Sequence, residues 1–104
     1  MLLSNQSTLQ IGQIVKILKG KNAGQVAVVV SIEDSRFVYI ADGHRRKFDQ
    51  RKKKNVLHLQ PQSFISSEVA NSLNESGRVT NGKLRFAVTK FMKSTETHAE
   101  EKGD

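Results

Sequence analysis

The residues of this chain best equipped for chemistry lie in one decapeptide, Arg45-Arg46-Lys47-Phe48-Asp49-Gln50-Arg51-Lys52-Lys53-Lys54. It holds seven cations and one acid. Seven like charges so close together repel one another unless phosphates relieve them, so the chemistry is recognition of a polyanion. Arginine brings forked contacts to phosphates or base edges, and lysine brings a point charge. A smaller basic group stands upstream, Lys19-Gly20-Lys21-Asn22-Ala23-Gly24. Gly24 closes this loop where positive φ is needed, and Asn22 is the next most tolerant residue there. Backbone N–H groups at the tip, beside Lys19 and Lys21, suit a phosphate. His58, between Leu57 and Leu59, is a further candidate for contact with that polyanion or with a backbone carbonyl.

Catalytic and metal chemistry find no such support. His44 and His58 lack His or Cys partners at ligand spacing. Asp42 precedes Gly43, and an Asp-Gly turn explains it. No second carboxylate, nucleophile–base pair or Walker-type loop accompanies it. The expectation is a protein that is not an enzyme, with no metal, cofactor or small-molecule substrate.

The elements that must carry the two basic groups are strands. Val15 and Ile17 precede the first loop at a spacing of two, and Val26, Val28 and Val30 follow it at the same spacing. The pattern predicts strands over about 10–19 and 25–32. A turn at Glu33-Asp34-Ser35 leads to a third strand, Arg36 to Ala41. Asp42-Gly43 is a two-residue hairpin signal, so Arg45 to Phe48 is expected to return as a fourth strand. There Arg45 and Lys47 would share a face. Lys52, Lys53 and Lys54 are expected in a connection, since three adjacent charges cannot face a core. A fifth strand is expected from Val56 to Gln60, ending at Pro61. Phe37 and Tyr39 alternate with Val38 and Ile40, so one pair faces inward; barrel core or helix contact is the preferred role for these aromatics and Phe48, with base stacking the other.

Beyond Pro61 the period lengthens. Ile65, Val69 and Leu73 are four apart, Ser66 or Ser67 can cap a helix, and Gly77 can end it. Thr80 or Asn81 then starts a second helix, with Leu84, Ala87, Val88, Phe91 and Met92 as its apolar face. The fold class is mainly β with C-terminal helices: a small barrel followed by two short α-helices. The divisions expected are a flexible terminus (1–9), the barrel (10–61), a helical extension packed on it (62–93) and a disordered tail (94–104).

Charge follows that division. Residues 1–61 hold 11 Lys/Arg and 4 Asp/Glu, a net +7, whereas residues 62–104 hold six of each. The 104 residues include no cysteine, so disulfides and thiolate zinc sites are excluded. No stretch suits a membrane span or a signal peptide, and a cytoplasmic location is expected.

Gly12-x-x-Val15-x-Ile17-x-x-Gly20-Lys21-x-x-Gly24-x-Val26 resembles the KOW motif of ribosomal and transcription-elongation proteins. The likeness continues through Tyr39-Ile40-Ala41-Asp42-Gly43, Arg45-Arg46-Lys47, Lys52-Lys53-Lys54 and His58-Leu59. Over about residues 10–60 the chain is similar to archaeal and eukaryotic large-subunit ribosomal KOW proteins and their small bacterial relatives. Where those proteins often have a proline entering the lysine run, this chain has Asp49-Gln50-Arg51. The resemblance implies an SH3-like barrel that binds structured ribosomal RNA in translation, with ribosomal proteins as further neighbours. The RNA-binding residues expected are Lys19, Lys21, Asn22, Gly24, Arg45, Arg46, Lys47, Arg51, Lys52, Lys53, Lys54 and His58. A protein-docking KOW module of a transcription or translation complex is the alternative, and an unspecific DNA binder a third reading.

Overall fold

The valine-rich run after Gly24 becomes the central strand. The computed structural model describes residues 9–103, with side chains through Thr95. Its five strands are β1 (Gln13–Ile17), β2 (Val26–Ile32), β3 (Phe37–Ala41), β4 (Lys52–Asn55) and β5 (Leu59–Ile65). They form one antiparallel sheet in the order β4-β3-β2-β1-β5. The sheet is not closed, so β4 and β5 are its edges.

Ala27, Val28, Val29 and Val30 of β2 are all buried, which requires cover on both faces of the sheet. One face gathers Val15, Ile17, Ala27, Val29, Val38, Ile40 and Leu59 into a core of the curled sheet itself. The other sends Ile14, Val28, Val30 and Ala41 against two helices, α1 (Ser67–Ser76) and α2 (Asn81–Gly103). The Ser66 hydroxyl accepts from the Val69 amide at 3.1 Å and caps α1, which ends at Gly77. The Thr80 hydroxyl accepts from the Lys83 amide at 3.2 Å at the start of α2. Val69, Val79, Leu84 and Ala87 complete this second core. Each large apolar side chain so buried contributes about 1.5–3 kcal/mol. Phe64 of β5 and Phe91 of α2 meet edge to face, with centroids 5.8 Å apart.

The sequence pattern misplaced the returning strand. Arg45 to Phe48 is no strand, because Asp42 closes the loop on itself. Its Oδ1 accepts from the amides of His44 (2.8 Å) and Arg46 (2.9 Å), and the Arg46 carbonyl accepts from the amides of Asp42 and Gly43. Such Asx bonding gives the chain an alternative to ladder pairing. Phe48–Gln50 is then a single 3-10 turn, and its first amide donates to Asn81 Oδ1 at 2.8 Å. The strand that returns is β4, so Lys52, Lys53 and Lys54 lie in the sheet and not in a connection. An edge strand tolerates such charge, which also discourages pairing with other chains.

Val56–His58 forms a second 3-10 turn, and β5 passes through Pro61 to Ile65. Proline is admitted on an edge strand, so the sheet outlasts the boundary expected at 61. Ile65 belongs to this strand and is exposed, as is Met92 on α2. The second helix is long, not short. It runs on through 94–103, expected to be disordered, where polar residues carry no helix breaker before Gly103. Of the terminus expected to be flexible, 1–9, residues 1–8 lie outside the described residues, as does Asp104, whereas Leu9 packs against the core of the sheet.

Candidate nucleic-acid interface

Three segments converge beyond the open side of the β-sheet core. The first is the loop between β1 and β2. Its Gly24 amide donates to the Ile17 carbonyl at 2.7 Å, and its Ala23 amide to Gly20 at 3.1 Å. Gly24 has φ of +93° and nothing within 4 Å of where a Cβ would stand. Its need for glycine is therefore backbone conformation and not crowding. The second segment is the loop Asp42–Arg46, and the third is β4.

Alternation along β4 divides the lysine run. Lys52 stands opposite Ile40 and Lys54 opposite Val38, both neighbours buried in the sheet core. Lys52 and Lys54 thus point to that side, and Lys53, opposite Tyr39, points to the other. Lys54 Nζ donates to the Lys19 carbonyl at 3.1 Å, which ties the edge strand to the β1–β2 loop. Between the three segments lies a hollow of about 190 Å³. Lys21, Arg45, Arg46, Lys52 and Lys54 line it, with Gly20, Asn22 and Asp42. Five cations against one carboxylate make a concave site of positive potential, suited to phosphate oxygens.

Seven of the twelve sequence-derived candidates thus adjoin this hollow: Lys19 through its carbonyl, and Lys21, Asn22, Arg45, Arg46, Lys52 and Lys54 as lining. Gly24 borders a neighbouring hollow. Lys47 is exposed at the start of the 3-10 turn. His58 is half-buried in the turn before β5, and its carbonyl accepts from the Leu18 amide.

Lys53 and Arg51 are engaged on the opposite side. Lys53 Nζ lies 3.0 Å from Glu33 Oε2 and 4.7 Å from the Phe37 ring centre. Glu33 also accepts from the Tyr39 hydroxyl at 3.0 Å. The bond from Lys53, then that from Tyr39, holds the Glu33 carboxyl below its usual range, and Glu33 raises Lys53 in turn. Arg51 lies 4.5 Å over the Phe48 ring and donates to the Phe48 carbonyl at 2.9 Å. The aromatics are thus covered by cations or, for Tyr39 and Phe48, packed against the helix-side core.

Residue averages hid one contributor. The balanced charge of 62–104 conceals a basic half-helix: residues 81–95 contain Lys83, Arg85, Lys90 and Lys93 and no acid, the acids following at Glu96, Glu100 and Glu101. Arg85 reaches back to the second loop, its Nη1 donating to the Gly43 carbonyl at 2.8 Å. Counting charge by element instead of by half would have found it.

Residues 11–40, from the approach to β1 to Ile40 of β3, match the KOW motif. The chain is 45% identical over 71 residues to the Bacillus subtilis (strain 168) protein named "Putative ribosome-binding protein YbzG", covering 68% of this chain and 96% of that one. The chain belongs to the KOW family of ribosomal and ribosome-binding proteins. It is also 27% identical over 88 residues to the large ribosomal subunit protein eL14 of Saccharolobus islandicus (strain L.S.2.15 / Lassen #1), covering 77% and 92% of the two chains. With eL14 of Sulfolobus acidocaldarius it shares 29% identity over 77 residues, 66% and 80% of the two. The KOW fold is of the SH3-like barrel type, and here its sheet stays open at β4 and β5. The KOW match contains the first loop and ends before the second, so the Asp42–Arg46 loop and β4 of the basic hollow lie outside the matched residues.

Proposed function

We propose that this protein binds the ribosome by docking the basic hollow on structured ribosomal RNA in translation. The single observation that carries the reading is the convergence of Lys21, Arg45, Arg46, Lys52 and Lys54 from three segments on one concave surface. Cations spread over a solvated surface would have no reason to converge. Phosphates in the hollow would relieve their mutual repulsion, and the backbone of a folded RNA supplies several at once. Selectivity would then rest on RNA shape and 2′-hydroxyls more than on sequence. The names of the relatives support a ribosomal setting, and hence action in the cytoplasm. No catalytic step is part of the role.

Co-sedimentation with ribosomes tests the reading. A variant with Arg45, Arg46, Lys52 and Lys54 all replaced by serine should lose co-sedimentation in moderate salt while keeping its melting transition. Full retention of ribosome binding by the folded variant would move the assignment to a protein partner, for which these charges would mainly steer encounter.

A further inference from the structure

We infer that the hollow beside the basic one receives an unpaired nucleobase, so that the RNA bound has a nucleotide turned out of its stack. The inference rests on the RNA reading above and adds the form of RNA that is bound.

The second hollow, of about 480 Å³, lies between the two loops and α2, within the roughly 300–1,000 Å³ of small-molecule sites. Its walls differ from those of the first. Val26, Val88 and the half-exposed Met92 give it apolar sides, as a flat aromatic ring requires. Arg85, His44, Gln25 and Thr89 stand among them with groups able to meet the polar edge of a base. A thioether beside an aromatic face is a favourable contact. Arg85 is held before any ligand arrives. Its Nη1 is bonded to the Gly43 carbonyl, and its stem passes so close over Gly43 that a Cβ there would lie 3.1 Å from Arg85 Cγ. A fixed guanidinium plane loses little freedom on stacking or hydrogen bonding to a base.

The two hollows share Gln25, Val26 and Asp42 as a common border. A strand with phosphates in the basic hollow therefore passes beside the apolar one, where an adjoining base can enter. Bases inside an A-form duplex are stacked and paired and cannot enter, whereas a bulged or looped nucleotide can. Duplex geometry alone would leave the second hollow unused.

The test compares two RNA hairpins in low salt, one fully paired and one with a single bulged 2-aminopurine. The protein should bind the bulged hairpin roughly 5- to 160-fold more tightly, the range for one stacked base, and 2-aminopurine emission should change on binding. Met92→Ala keeps helix propensity and charge; it should lower that preference several-fold and leave affinity for the paired hairpin unchanged. The double variant Lys52→Ser, Lys54→Ser should weaken both hairpins alike. Equal affinity of the native protein for the two hairpins, with no emission change, would overturn the inference. So would a preference that Met92→Ala leaves whole. If Lys52→Ser, Lys54→Ser weakens neither hairpin, the RNA reading itself fails, which is a separate result.

Discussion

Lys54 Nζ donates to the backbone carbonyl of Lys19 at 3.1 Å, across 35 residues of sequence. That contact joins the lysine run to the β1–β2 loop and makes two basic groups one surface. Lys53, its neighbour, is turned away and paired with Glu33.

The three lysines are therefore not equivalent. Lys54→Ser should weaken RNA binding several-fold and make the salt slope shallower by roughly 0.7–0.9, the share of one phosphate. Lys53→Ser should leave the slope within error of the native one. Titrations of labelled RNA at several salt concentrations distinguish the two, and equal losses would show that β4 alternation does not sort the contacts.

Two glycines at positive φ should fail differently. Gly24→Val meets open space, so its cost is backbone strain of about 1–3 kcal/mol, with a lower melting temperature and weaker RNA binding together. Gly43→Ala would in addition press its Cβ onto the Asn81 carbonyl and to within 2.9 Å of Leu84 Cβ, where α2 crosses the loop. Strain and overpacking together should exceed about 3 kcal/mol. Thermal melting checks the order, and a Gly43→Ala variant at least as stable as Gly24→Val would contradict it.

Glu33 and Lys53 set a pH dependence. The folded-state pKa of Glu33 lies below its unfolded value, so its contribution is present above about 4.3 and is lost as pH falls through the folded value. Lys53 is raised, so its share is complete below about 10.4 and is lost only as pH rises through its folded value. Near neutrality both hold. Glu33→Gln should melt slightly below the native protein at neutral pH, and the gap should close as pH falls through the folded value of Glu33. The pair is exposed, so added salt should narrow the gap as well. A gap independent of pH would remove the ion pair from the explanation.

Truncation after Lys93 removes Glu96, Glu100, Glu101 and Asp104 with only Lys102 to balance them. RNA affinity should stay the same or rise slightly, measured by the same titrations. A large loss would make the end of α2 a working part of the interface.

The strands before Asp42 and the starts of both helices were legible because each has one strong local signal. Val15 and Ile17 mark β1 and alternate valines mark β2, both at a spacing of two, and Ser66, Gly77 and Thr80 mark helix ends. The stretch 42–60 was not legible, because Asp-Gly turns occur in more than one loop. The Asx bonds of Asp42 and the anchor from Asn81, 33 residues downstream of Phe48, decided between them. The candidate site was legible as composition and not as geometry. The run 45–54 named the cations, but only the register of β4 against β3 separates Lys52 and Lys54 from Lys53. Arg85 needed the fold, since what brings it to the site is the packing of α2 over Gly43.

The most direct measurement is the salt dependence of ribosome binding by the native protein and by the double variant Lys52→Ser, Lys54→Ser, with folding checked by melting. If phosphates occupy the basic hollow, log K should fall steeply with log salt for the native protein, and the double variant should show a slope shallower by roughly 1.4–1.8, the share of two phosphates. Native affinity and an unchanged slope in the folded double variant would contradict phosphate binding in that hollow.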